Sequence, residues 1–175
     1  MRNMDEIASL HESNYPELAE FRRSPATDEQ LDEVWGRVGR TIPELADLLK
    51  WRDGEDADSF LLGCAWQILP VEIMLLRYDA IVSQEIHISS NFIELNGIDY
   101  WPEEWIPFVE WNSEVMGVID CRESGKHKVI GVDLGSCYAT QWAESVEDFF
   151  DGALRDLKES ESLSIDRLMS SAERS

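Results

Sequence analysis

Apolar residues recur at helical spacing in four segments of the chain. In the segment T-D-E-Q-L-D-E-V-W-G-R-V, Thr27 and Gln30 form a capping box ahead of an amphipathic stripe. Pro43 opens a second helix as a first-turn proline, and Gly54 marks where that helix should stop. A third helix is predicted after Pro70 and a fourth from Ser145. The third should bury a stripe made of Ile73, Leu76, Ala80 and Ile81.

Strand-like patterns appear in the middle and the second half of the chain. Residues 59–69 read as one or two short buried strands broken at Gly63. Three further strands are predicted at 115–121, 128–134 and 137–142. Their short connections contain glycine and favour an antiparallel meander over parallel crossovers. Helices first, strands afterwards and a closing helix indicate an α+β fold, with helices packed against an antiparallel or mixed sheet.

The 175 residues suit one domain with a substantial core. We predict a helical extension at 1–26, interrupted at Pro16, a single α+β domain at 27–158, and a serine-rich flexible tail at 159–175. The sequence has no run of about 18 apolar residues and no recognisable secretory signal. Three widely spaced cysteines without a C-x-x-C pair suit a reducing compartment, so a cytoplasmic location is expected.

Acidic residues outnumber basic ones by 36 to 15, which gives a formal net charge of -21. The predicted tail holds four acidic and two basic side chains, so residues 1–158 carry a net charge of -19. Such a protein repels phosphate backbones and anionic lipids, which argues against direct binding to nucleic acid or to a membrane. It attracts basic partners at long range. Acidity that only keeps the protein in solution is the alternative interpretation.

The segment Y-W-P-E-E-W-I-P-F-V-E-W, which ends at Trp111, contains two prolines that disfavour an ordinary helix. We interpret Trp105, Pro107 and Phe108 as a rigid hydrophobic lead into the first strand of the sheet. Trp101 and Trp111 are expected to be freer to face outward, where acidic side chains would surround them as at an interface hot spot. Burial of all three tryptophans in the core is the alternative.

Candidate catalytic chemistry is sparse. Five carboxylates are close in sequence, as in a glycosidase, although the acidic composition alone predicts such crowding: Glu103, Glu104, Glu110, Glu114 and Asp120. The D-G-E-D-A-D cluster at 53–58 lacks the glycine and glutamate positions of an EF-hand, so a solvated acidic turn is predicted there. His127 could approach Cys121 across a hairpin, but no orienting acid is evident. No phosphate-binding glycine motif occurs either. Because none of these patterns carries clear chemistry, we predict no catalytic centre, no metal site and no cofactor.

Five landmarks, in this order, resemble the SUKH superfamily in its Smi/Knr-like branch. They are I-P-E-L-A-D-L-L-K-W-R-D-G, I-L-P-V-E-I, W-I-P-F-V-E-W, G-V-I-D-C and S-V-E-D-F-F. The resemblance extends from about Thr27 to Leu157. The residues that match the family's pattern are Pro43, Leu48, Gly54, Trp105, Pro107, Phe108 and Asp120. Trp101, Trp111 and Cys121 lie outside the pattern, as does the 17-residue tail.

This resemblance implies an α+β fold without a catalytic centre. Many bacterial members of the family are immunity proteins that neutralise a cognate polymorphic toxin, often a nuclease, delivered by contact-dependent or type VI secretion. Fungal members act as interaction hubs in cell-wall and morphogenesis signalling. We therefore predict an immunity protein that binds a toxin with a basic surface. A regulatory scaffold is the first alternative, and a hydrolase that uses Glu103 or Glu104 with a second carboxylate is the other.

The predicted partner-binding residues fall in two acidic stretches. The first follows the second helix and comprises Asp53, Glu55, Asp56 and Asp58. The second belongs to the tryptophan segment and comprises Trp101, Glu103 and Glu104. Both stretches combine negative charge with turn-like or proline-containing sequence, which favours exposure at the surface.

Overall fold

The computed structural model describes residues 2–16, 23–56, 61–63, 65–83, 101–122, 127–136 and 138–160. Within these residues the chain forms five α-helices and five strands. The elements are α1 (Arg2–Asn14), α2 (Asp28–Val38), α3 (Pro43–Trp51), β1 (Trp66–Ile68), α4 (Val71–Val82), β2 (Trp105–Trp111), β3 (Val115–Asp120), β4 (Lys128–Asp133), β5 (Tyr138–Ala143) and α5 (Val146–Ser160). The predicted α+β class is confirmed.

The strands form one antiparallel sheet in the order β1-β2-β3-β4-β5. The meander predicted for the last three strands is therefore confirmed. The part of the tryptophan segment from Trp105 to Trp111 is itself a strand, β2, rather than a lead into one. Pro107 cannot donate a ladder hydrogen bond, and the register against β3 shifts between Pro107 and Val109. This irregularity explains how a proline is accommodated inside an internal strand.

Local capping signals start the helices where the sequence predicts them. The Thr27 side chain accepts a hydrogen bond from the Gln30 backbone N–H at 3.2 Å, and the Gln30 side chain accepts one from the Thr27 N–H at 2.8 Å. Pro43 occupies the first turn of α3. At the start of α5, the Ser145 hydroxyl accepts a hydrogen bond from the Asp148 N–H at 3.0 Å. These helix starts depend on neighbours in sequence.

Gly54 has a different role from the predicted one. α3 ends at Trp51, three residues earlier, so Gly54 does not stop the helix. Its φ is +61°, and a Cβ atom there would lie 2.3 Å from the backbone nitrogen of Pro70. The residue is glycine because two backbone segments approach each other closely at this point.

The main core lies between the helices and one face of the sheet. It contains Leu48 of α3 and Phe108 of β2, together with Met4 and Ile7 of α1. The predicted N-terminal extension therefore contributes to the same core as the rest of the chain. A second apolar cluster, which includes Trp105, lies on the opposite face of the sheet. Alternation along β3 and β4 assigns successive residues to the two clusters, as with Val118 and Ile119.

Two glycines create space for Trp142 on the helix-covered face. A Cβ atom on Gly131 would lie 1.7 Å from Cε2 of the Trp142 indole, and one on Gly117 would lie 2.9 Å from its Cζ3. The indole stacks on Phe149 of α5, with ring centroids 6.0 Å apart and an interplanar angle of 14°. Its edge contact with Trp66 has a centroid distance of 5.8 Å. Trp142 thus joins both edge strands to the last helix.

The predicted buried stripe of α4 is wrong except at Ile81. The residues that α4 buries are Val71, Met74, Leu75, Tyr78 and Ile81. Leu76, which was assigned to the stripe, is 61% exposed. The segment V-E-I-M-L-L-R-Y-D-A-I-V has apolar residues on most faces of a helix, so periodicity alone does not select the buried one.

Candidate partner-binding surface

Three acidic side chains meet at the N-terminal end of α4 around one arginine. Arg23 Nη2 lies 3.2 Å from Asp53 Oδ2 and 2.8 Å from Glu72 Oε1, and its Nη1 lies 3.3 Å from Asp56 Oδ1. The side chains of Asp56 and Glu72 are each 53% exposed. Opposed charges raise the pKa of Arg23 despite the desolvation that burial imposes. One arginine is thus shared by three carboxylates, so the N-terminal end of α4 keeps a net negative charge.

Asp53 and Glu55 are buried and hold the backbone. Asp53 Oδ1 accepts a hydrogen bond from the N–H of Val71, the first residue of α4, at 2.8 Å, as an N-cap carboxylate would. Glu55 is fully buried, and its two oxygens accept hydrogen bonds from the backbone N–H groups of Leu61 and Ile68. The predicted solvated turn is therefore wrong for both residues, and burial leaves neither accessible to a partner.

Among the three described members of the first predicted stretch, one is accessible. Of its four members, Asp56 is exposed. Asp58 lies outside the described residues.

The second acidic stretch lies near the C-terminal half of α4. The Tyr78 hydroxyl donates a hydrogen bond to the Glu103 carbonyl oxygen at 3.1 Å. The Cys121 N–H donates to the Glu104 carbonyl oxygen at 3.0 Å. Burial, together with the negative charges of Glu103, Glu104 and Asp79, raises the pKa of the Tyr78 hydroxyl. Glu103 is exposed and Glu104 is half-buried.

Trp101 does not face outward as predicted. It is 4% exposed and packs edge-on against Trp105, with ring centroids 5.4 Å apart and an interplanar angle of 89°. Trp105 is also buried, whereas Trp111 is half-buried. The tryptophan segment therefore contributes Glu103 and Glu104, and not Trp101, to the accessible surface.

The outer face of α4 connects the two acidic regions. Glu72, Leu76 and Asp79 follow one another at helical spacing, so they share one stripe. Arg37 of α2 forms an ion pair with Asp79 and lies 4.0 Å from Glu33. We use the term α4 surface for Glu33, Arg37, Asp56, Glu72, Leu76, Asp79, Glu103 and Glu104. Sequence reasoning missed its central residues because α4 was given the wrong buried face, although the acidic residues one turn before and after Leu76 are visible in the sequence.

Two carboxylates of the sheet, those of Glu110 and Asp120, are paired with arginines. Both oxygens of Glu110 accept hydrogen bonds from Arg77, at 3.0 and 3.3 Å. Asp120 makes a bidentate pair with Arg122 through contacts of 2.7 and 2.9 Å. Burial alone would raise the pKa of Asp120, but the hydrogen bonds and charge of Arg122 outweigh it and hold the pKa below its usual value. These pairs have the geometry of structural ion pairs rather than of a hydrolytic carboxylate pair.

The Cys121 thiol is not activated for catalysis. Burial is the main cause that raises its pKa to about 12, so it is protonated at neutral pH. Cys121 is free and buried. His127 Nδ1 instead contacts the Glu44 carboxylate, at 2.8 Å. The described part of the chain has no group of three or more His, Cys, Asp or Glu side chains arranged to hold a metal ion.

The helices pack on one face of an antiparallel meander, which is the predicted α+β class. An acidic surface runs along α4 of this domain. The SMI1 / KNR4 family (SUKH-1) matches residues 25–152, and the chain belongs to this family. The resemblance predicted from the landmarks is confirmed. No curated protein matches the chain. The family match begins after α1. No helix in the described ranges has both the length and the apolar character needed to span a membrane.

Proposed function

We propose that this protein is a cytoplasmic immunity protein of the SUKH-1 family that neutralises a cognate toxin by binding it through the α4 surface. Binding alone would block the toxin, with no catalytic step on this chain. The observation that carries the proposal is the line of solvent-accessible carboxylates along α4, formed by exposed Asp56, Glu72 and Glu103 and by half-buried Asp79. The net charge of -21 extends the attraction for a basic partner well beyond contact distance.

Arg37 of the α4 surface and the adjacent Arg23 do not cancel the negative charge of this surface. Arg23 is shared by three carboxylates, and Arg37 is shared by Asp79 and Glu33. A toxin that acts on nucleic acid needs a basic groove for its substrate. An acidic protein surface that covers such a groove would compete with the substrate for the same cationic side chains.

Affinity capture of the tagged full chain from its own source cells, with a moderate-salt wash and mass spectrometry, tests the proposal. We expect one basic protein in near-equal amount. When produced alone that protein should arrest growth, and co-production of this chain should restore growth. Many sub-stoichiometric partners would favour the regulatory scaffold. No partner, or a partner that is not toxic, would contradict the immunity proposal and would justify a screen for hydrolase activity.

Removing charge from the α4 surface should slow association with the captured toxin. We expect the double variant Glu72→Gln/Asp79→Asn to lower the association rate constant roughly tenfold at low salt, with little change in dissociation, because long-range attraction acts mainly on encounter. Stopped-flow or biosensor kinetics at several salt concentrations would measure both rate constants. Added salt should reduce the difference between variant and wild type.

The matched control for this prediction removes the same charge from another helix. Glu147 and Glu159 are exposed on α5, so Glu147→Gln/Glu159→Gln changes the net charge equally. This control should leave the association rate within about threefold of wild type, because it lies outside the proposed contact. Equal effects of the two double variants, or an association rate that does not depend on salt, would show that the α4 surface does not steer the toxin.

A further inference from the structure

We infer that Leu76 is the apolar anchor of the α4 surface and inserts into an apolar recess on a basic protein. The inference rests on the proposed function and adds a residue that composition and charge do not identify. Leu76 is 61% exposed, more than any other large apolar side chain in the described residues. Tyr15 and Val82 follow at 37% and 38%.

The surroundings of Leu76 distinguish it from an ordinary exposed leucine. Glu72 lies one turn before it and Asp79 lies three residues after it on the same face of α4. Both carboxylates are ion-paired, Glu72 with Arg23 and Asp79 with Arg37. An apolar side chain is thus surrounded by ordered charged groups, an arrangement typical of an interface hot spot with a polar rim.

The helix presents Leu76 in a fixed position. Asp53 caps the first residue of α4, and the Tyr78 hydroxyl is bound to the Glu103 carbonyl. Arg77 attaches the middle of the helix to Glu110 of β2. Because the first turn and the middle of the helix are held, α4 need not be ordered when a partner binds. A preorganised anchor loses little conformational entropy, so more of its burial contributes to affinity.

The negative charge around Leu76 determines which kind of protein can bind there. A second copy of this chain would bring the same net charge of -21 and the same carboxylates to the contact, and would be repelled. A basic protein is attracted to the same surface. The two parts of the surface then have separate roles, because the carboxylates accelerate encounter whereas the buried leucine slows dissociation.

Binding kinetics with the purified toxin, recovered by affinity capture, test whether Leu76 acts on dissociation while the carboxylates act on association. Leu76→Ala should raise the dissociation rate constant and Kd roughly tenfold, while the dependence of the association rate on salt stays that of wild type. Leu76→Met keeps an apolar side chain of similar volume and should remain within about threefold of wild type. Tyr15→Ala removes exposed apolar surface just after the end of α1 and serves as the matched control. Thermal unfolding of each variant confirms that the fold is retained.

Site-specific photocrosslinking in source cells provides a second test. A photoreactive phenylalanine derivative at position 76 of the full chain should crosslink to the toxin, and the same group at exposed position 147 should not. A crosslink to a second copy of this chain would overturn the inference. An unchanged dissociation rate constant for Leu76→Ala would also overturn the inference. If wild type still bound the toxin in a salt-dependent way, that result would not contradict the proposed function. Failure of wild type to bind any toxin would overturn both.

Discussion

Gly131→Ala is expected to destabilise the protein by roughly 3 kcal/mol or more, at the upper end of the cost of overpacking a core. The new Cβ atom would lie 1.7 Å from Cε2 and 2.1 Å from Cζ2 of the Trp142 indole, distances that require the ring to move. A displaced ring would lose its stacking on Phe149 and its edge contact with Trp66. Urea unfolding followed by circular dichroism would measure the change in the free energy of unfolding.

A double-mutant cycle separates this clash from other effects of the substitution. Once Trp142→Ala has removed the indole, Gly131→Ala should cost less than about 1 kcal/mol, so the two changes should be strongly coupled. Gly36→Ala is the matched control, because a Cβ atom there has nothing within 4 Å and Gly36 lies inside α2. It should stabilise the protein by about 0.5–1 kcal/mol. A loss below 1 kcal/mol for Gly131→Ala in the wild-type background would contradict the argument.

The elements that the sequence predicts well are those fixed by residues close in the chain. The capping box of Thr27 and Gln30 and the serine cap at Ser145 each involve a partner three residues away. The β3–β5 meander has the same local character, because its strands follow one another through short connections. Such signals can be found without knowledge of the tertiary structure.

The positions that the sequence misassigns depend on distant segments. The role of Gly54 is set by the backbone of Pro70, and Pro107 fits β2 because of a register shift against β3. Asp53 is buried because it caps Val71, eighteen residues later. Composition describes an acidic turn at this place in the chain, but it does not show that one carboxylate there serves a helix that begins beyond β1.

The sequence predicts only part of the candidate surface, because the rest depends on contacts between distant segments. Asp56, Glu103 and Glu104, which their charge predicts as partner-binding residues, are accessible, whereas Trp101, which its side-chain type predicts, is buried. The α4 stripe was missed because its helix is apolar on several faces, so the exposed one is defined only by packing against α2 and β2. Leu76 is recognisable as an exposed residue only once that packing is known.

Glu55→Gln is expected to cost roughly 3 kcal/mol or more, even though the two side chains have nearly the same shape. Both carboxylate oxygens of Glu55 accept backbone hydrogen bonds, from Leu61 and Ile68. An amide offers one acceptor oxygen and would turn its NH₂ group toward the other backbone N–H. A buried donor would then face a donor, and the attachment of the 61–63 segment to β1 would be lost.

Asp56 provides the control that distinguishes loss of the backbone hydrogen bonds of Glu55 from simple loss of a negative charge. Asp56→Asn removes the same charge one residue away, but Asp56 is exposed and its pair with Arg23 is at the surface. It should change the free energy of unfolding by less than about 1 kcal/mol, as exposed ion pairs usually do. Since Glu55 is inaccessible, a Glu55→Gln protein that stays folded should bind the toxin like wild type. Equal stability losses for the two variants would show that Glu55 acts through its charge and not through its two backbone contacts.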